Sequence, residues 1–219
     1  MMKTTAPLIA ALLLAACGNN PPVPDWQMNA QSSIERSTAA YMSGNARIED
    51  AEYKRAREAL ASTGKVDLII RAELIRCAAH VAALAYDDCP GYARLAQDAS
   101  PADHAYAAYL AGHATAADAA LLPEQHKAVA SAASDTAATG AVQAIADPLS
   151  KLVASGVLFR AGKASPQTLA DAVETASAQG WRRPLLAWLG VQAMRADQAG
   201  DIAEAQRIKR RIALVADKP

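Results

Sequence analysis

Histidines, cysteines and a few grouped charges are the residues of this chain that could do chemistry, and their spacing limits what that chemistry is. The four histidines, His80, His104, His113 and His126, never fall at the i, i+4 interval that sets two imidazoles on one helix face for zinc. Asp103 beside His104 would suit an orienting pair, but no Gly-x-Ser-x-Gly elbow or other nucleophile motif accompanies it. Glu49-Asp50 and Asp87-Asp88 fit helix ends and turns better than an acid/base pair. Cys77 and Cys89 form neither a CxxC motif nor a Cys/His cluster at ligand spacing. No cofactor and no metal is therefore expected, and the absence of motifs argues against an enzyme.

Two groups remain as candidate binding residues. In "ELIRCAAH", Glu73, Arg76 and His80 fall within about 60° of one another at about 100° per residue, a narrow polar stripe on an otherwise apolar segment. Such a stripe is either an ion-paired edge or the wall of a ligand groove. In "GWRRP", Trp181, Arg182 and Arg183 are the residue types enriched at binding hot spots, although tryptophan also serves helix packing.

The elements that carry these residues read as helices throughout. The chain is rich in alanine, has a single phenylalanine, Phe159, and lacks alternating β-branched runs, a composition that favours an all-α fold. A first helix is expected over 26–43 and a second over 47–64, broken at Gly44-Asn45. In the second, Ile48, Ala51, Ala56, Ala59 and Leu60 share a face. The segment 65–85 is apolar almost all round, as a helix at the centre of a bundle would be. Ser100-Pro101, Asp147-Pro148 and Ser165-Pro166 each set an N-cap residue before a proline suited to the first helical position. With Pro123-Glu124 they predict helices over 101–113, 123–137, 148–161 and 166–179, and a short one near 91–98.

At the C-terminus a helix over 182–198, a turn at Gly200-Asp201 and a second helix with Ile202, Ala205, Ile208 and Ile212 in one stripe are expected. "AGDIAEA" at 199–205, with the small Ala193 earlier, resembles the turn between the two helices of a tetratricopeptide repeat. The resemblance covers about 35 residues and implies an irregular helical-repeat solenoid, with a helical bundle as the alternative architecture.

The opening residues bear on location. "MMKTTAPLIAALLLAAC" has one cation, Lys3, and an uncharged run from Ala6 to Ala16, the length of a signal h-region and short of the roughly 17 residues needed to span a bilayer. Its end, Leu14-Ala15-Ala16-Cys17, resembles the lipobox of bacterial lipoproteins. That resemblance implies a signal peptide over 1–16, diacylglycerol on the sulfur of Cys17 and acylation of the new amino terminus, chains that together anchor the protein stably. The same resemblance carries a sorting rule in which aspartate at the next position favours the inner membrane, so Gly18 implies the outer membrane facing the periplasm, the inner membrane or cell surface being the alternatives. "GNNPPVPD" completes a tether over 17–25 that holds the domain of 26–219 roughly 25 Å from the lipid at about 3.1 Å per residue.

An oxidising compartment gives Cys77 and Cys89 a purpose, since an even pair there forms a disulfide, the alternative being two free buried thiols. Twelve residues of continuous helix would part them by about 18 Å, so the helix must stop well before Cys89. "YDDCPG" supplies the stop. From an end near Leu84, five residues reach back about 17 Å, enough to close the bridge.

Lysines and arginines number 22 against 22 aspartates and glutamates, and removal of Lys3 leaves a net charge of about −1, which argues against nucleic acid as a partner. The expectation is a non-enzymatic, lipid-anchored lipoprotein with the membrane and an envelope protein as partners. A small-ligand or cell-wall-binding module is the first alternative, and an enzyme whose histidines or carboxylates converge in a cleft is the second. The oligomeric state is left open.

Overall fold

The computed structural model describes residues 22–217, so Cys17 and the segment before it lie outside the described residues. The fold is all-α, with twelve helices, one 3₁₀ turn and no strand among the described residues.

Helices α1 (Asp25–Ser43) and α2 (Ala46–Ala61) form an antiparallel hairpin. Gly44 makes the turn at φ +85°, and the amides of Gly44 and Asn45 donate to the carbonyls of Tyr41 and Ala40, satisfying the last turn of α1. The Asn45 side chain then caps Ile48 N–H at 3.2 Å. The buried face of α2 differs from the expected one: Glu49, Glu52, Tyr53, Ala56 and Leu60 point inward, while Ile48 is 48% exposed. The reason is pairing. Glu52 meets Arg36 at 2.9 Å and Arg55 at 2.6 Å, and Glu49 meets Arg76 at 2.7 Å, so partners compensate burial of the carboxylates.

Helix α3 (Val66–Ala82) is the apolar central rod that its composition predicts, packed against α1, α2, α5 and α9. Its closest approach is to α9 (Pro148–Arg160). There Gly156 lies so near the Val81 carbonyl that any Cβ would overlap it. The unpaired Ala82 carbonyl at the end of α3 accepts from Nε1 of Trp188, a wholly buried residue, at 3.0 Å.

After α3, a loop over 83–89 leads to α4 (Pro90–Ala93) and the 3₁₀ turn Ala96–Asp98, which together stand where one short helix was expected. Helix α5 (Pro101–Leu110) opens on a reciprocal Ser100/Asp103 capping box. Asp147 and Ser165 cap α9 and α10 (Pro166–Ala178) through Ser150 N–H and Thr168 N–H, as their place before proline predicts.

The expected helix over 123–137 is two helices, α7 (Glu124–Ala130) and α8 (Asp135–Ala144). Ser134 accepts from Ala137 N–H and starts a new helix where alanine alone would have continued the old one. Before them α6 (Ala116–Ala119), unforeseen in the sequence, is held by a Thr115/Asp118 capping box. The C-terminal pair, α11 (Arg182–Gln198) and α12 (Ile202–Ala216), turns at Gly200 and packs through Ala193, Ala205 and Ile208. Ile202, placed on that stripe from the sequence, is 70% exposed because it begins the helix just outside the contact.

Candidate functional site

The polar stripe of α3 faces α2, the loop over 83–89 and the start of α4. Glu73, 6% exposed, is ion-paired with Arg57 of α2 and presses on Gly91, where only the absence of a Cβ makes room for its carboxylate. Arg76 donates to Glu49 at 2.7 Å and to Asp50 at 2.8 Å, and its guanidinium lies 4.5 Å over the Tyr53 ring. His80 bonds Asp87 Oδ2 through Nδ1 at 2.9 Å, while its buried Nε2 has no hydrogen-bond partner and lies 3.9 Å from Glu49. Burial, with the Glu49 charge nearby, pushes the Tyr41 phenol up to about 12 despite the opposing charge of Arg183.

Cys77 and Cys89 lie at disulfide distance, their Cα atoms 5.4 Å apart, because α3 stops at Ala82 and the chain doubles back. Leu84, Asp88 and Cys89 all take left-handed φ values of 51 to 58° to make that return. The cysteines, Glu73, Arg76, His80 and Asp87 surround a polar pocket of about 130 Å³. Glu73 and Arg76 are both bound in ion pairs, so the stripe serves chiefly as an electrostatic clasp between α2 and α3.

The second predicted group reaches the same region by an unforeseen route. Arg183 donates to the Tyr41 carbonyl at 2.8 Å and stacks 4.2 Å over the Tyr41 ring, against which His80 stacks at 4.4 Å. Both cannot occupy one face of the ring, so Tyr41 is clamped between them. Arg182 donates to the carbonyls of Val215 and Ala216, satisfying the end of α12. Trp181 is half-buried against the main core. All three residues of this group act within the fold.

A groove near the C-terminus is built by residues outside both predicted binding groups. Helices α10 and α12 flank α11 and leave an open groove of about 460 Å³. Leu169, Val173 and Ile208 lie at its base, with Arg195, Arg207 and Arg211 along it. Arg207 makes two 2.6 Å bonds to Glu204, which hold that carboxyl below the usual carboxylate range. Two of these arginines, Arg207 and Arg211, belong to the basic run "RIKRR" at 207–211. A separate, half-enclosed pocket of about 210 Å³ between α5, α7, α8 and α9 is lined by Tyr109, Val129, Ala133, Val157 and Leu158.

No protein-family model matches this chain, and no curated protein or solved structure is significantly similar to it. Among the described residues no helix is long and apolar enough to cross a membrane.

Proposed function

We propose that this protein is a lipoprotein held by Cys17 in the outer membrane, facing the periplasm, and that it docks an envelope protein partner without catalysing a reaction. The observation that carries the docking role is the open groove over α11, where Arg195, Arg207 and Arg211 stand with Glu174 and Glu204 around an apolar base. An antiparallel helix pair flanked by a third helix is also the geometry by which helical repeats present binding surfaces. The anchor part of the reading rests on the Leu14-Ala15-Ala16-Cys17 motif and the proline-rich tether. A short tether raises the effective concentration of a partner at the same membrane.

The test is purification after in-cell crosslinking of wild type, Cys17→Ala and an Arg195→Glu/Arg211→Glu double variant. One envelope protein should copurify with wild type, diminish with Cys17→Ala and vanish with the double variant. Equal solubility of wild type and Cys17→Ala would overturn the anchor. A partner retained by the double variant would overturn the groove.

A further inference from the structure

The sequence spacing suggested no metal cluster, but the fold assembles one set of donors. Cys77 Sγ, Cys89 Sγ and a carboxylate oxygen of Asp87 all lie within 4.8 Å of one another. We propose that these three residues bind zinc(II) when the cysteines are in the dithiol state, so that the protein holds either a disulfide or a metal at this place. The inference is independent of the docking role.

The donor set fits that ion. Zinc accepts thiolate sulfur at about 2.3 Å and carboxylate oxygen at about 2.0 to 2.2 Å in a tetrahedral arrangement, whereas calcium and magnesium require oxygen throughout. Two thiolates and one carboxylate leave a fourth position, and the pocket of about 130 Å³ beside them gives it space for water. His80 Nδ1, 2.9 Å from Asp87 Oδ2, supplies the outer hydrogen bond that commonly fixes a ligating group.

The donors do not depend on the disulfide for their placement. Cys77 sits in the middle of α3. The returning loop is fastened on its own account by Tyr86 Oη to the Gly156 carbonyl at 2.8 Å, by Asp88 to Arg160 and by Asp87 to His80. Asp87 Oδ1 also accepts from Cys89 N–H at 3.2 Å, which locks the two loop ligands to each other. Breaking the S–S bond therefore leaves both sulfurs facing each other across the same pocket.

The chemistry balances with a dithiol reductant. That reagent gives two electrons and two protons to the Cys77–Cys89 bond and becomes a disulfide itself, leaving two thiols here. Each thiol then releases its proton as the metal binds, so zinc uptake frees two protons.

The experiment uses the full chain in detergent with Cys17→Ser, which leaves Cys77 and Cys89 as its only thiols, kept anaerobic with a phosphine reductant. Cobalt(II) is the spectroscopic probe, followed by zinc(II). One equivalent of cobalt should give a thiolate charge-transfer band and tetrahedral d–d bands in the reduced protein and neither in the oxidised one. Zinc should bleach them. Asp87→Asn and His80→Gln should each weaken binding about tenfold or more. Zinc should also raise the melting temperature of the reduced protein and leave that of the oxidised protein unchanged. Absence of the bands, binding unaffected by Asp87→Asn, or a reduced chain that zinc does not stabilise would each overturn the proposal.

Discussion

His126, on α7, is 1% exposed and lies among aromatic rings, with the centroids of Tyr106 and Tyr109 at 5.9 and 5.0 Å and Tyr109 Oη 3.3 Å from its Nδ1. Burial disfavours the imidazolium and brings its pKa down to about 4, against a smaller opposing pull from the Asp147 charge. An unfolded histidine titrates at about 6.5. Between those values the unfolded chain takes up a proton that the folded chain refuses, so stability falls as the pH drops, and this contribution is fully lost only below about 4. From the two pKa values the loss between pH 7 and pH 5 is about 2 kcal/mol, because each tenfold difference in proton affinity between the folded and unfolded chain corresponds to about 1.4 kcal/mol. Urea unfolding of wild type and His126→Gln at the two pH values reads it. Every other titrating group is common to both proteins and cancels in the difference. Wild type should lose about 2 kcal/mol more than the variant over this interval, with m unchanged. Equal losses would refute the argument that a neutral His126 is required by its cage.

Other perturbations test the packing. Gly156→Ala must displace the Val81 backbone and should cost about 1 to 3 kcal/mol in urea unfolding. Gly190→Ala, on a helix position with open space around it, should instead add about 0.5 to 1 kcal/mol. Replacing both Cys77 and Cys89 by alanine in the oxidised protein should lower stability by about 3 kcal/mol, the entropy of a loop of this size. Arg183→Ala removes the bond to the Tyr41 carbonyl and one face of the ring clamp. It should cost about 1 to 2 kcal/mol and speed amide exchange in α11 and α12 before α3, as mass spectrometry would resolve.

Helix positions were legible in the sequence wherever local chemistry decides them. Ser100, Asp147 and Ser165 cap helices where their proline neighbours indicate, and the all-round apolar segment around Ile70 and Leu74 became the central rod. Reading failed where a distant residue decides. Glu49 and Glu52 outrank Ile48 for burial only because Arg76 and Arg36 arrive from other helices. The cage of His126 is built by α5, which sequence spacing does not bring near α7. The Cys77–Cys89 approach was accessible because chain reach bounds it, but the addition of Asp87 to the pair depends on left-handed backbone at both Asp88 and Cys89, which chain reach does not specify.

The same long-range contacts explain how the core and the groove share one helix. Helix α11 buries Leu185, Trp188 and Leu189 in the core with its first half and forms part of the groove with Gln192, Arg195 and Ala196 in its second. Its start is fixed to α1 through Arg183 and Tyr41, 142 residues apart in the chain, and to α3 through Trp188 and Ala82. Helix α1 is the first helix of the described residues, so these bonds set the orientation of the groove relative to the start of the folded domain. A flexible hinge at this point would leave the groove free to turn; a clamped aromatic ring and a buried indole bond instead make its direction a property of the packed core. If the groove docks a partner as proposed, the direction it faces is set by internal residues such as Arg183 and Tyr41 as much as by the arginines that line it.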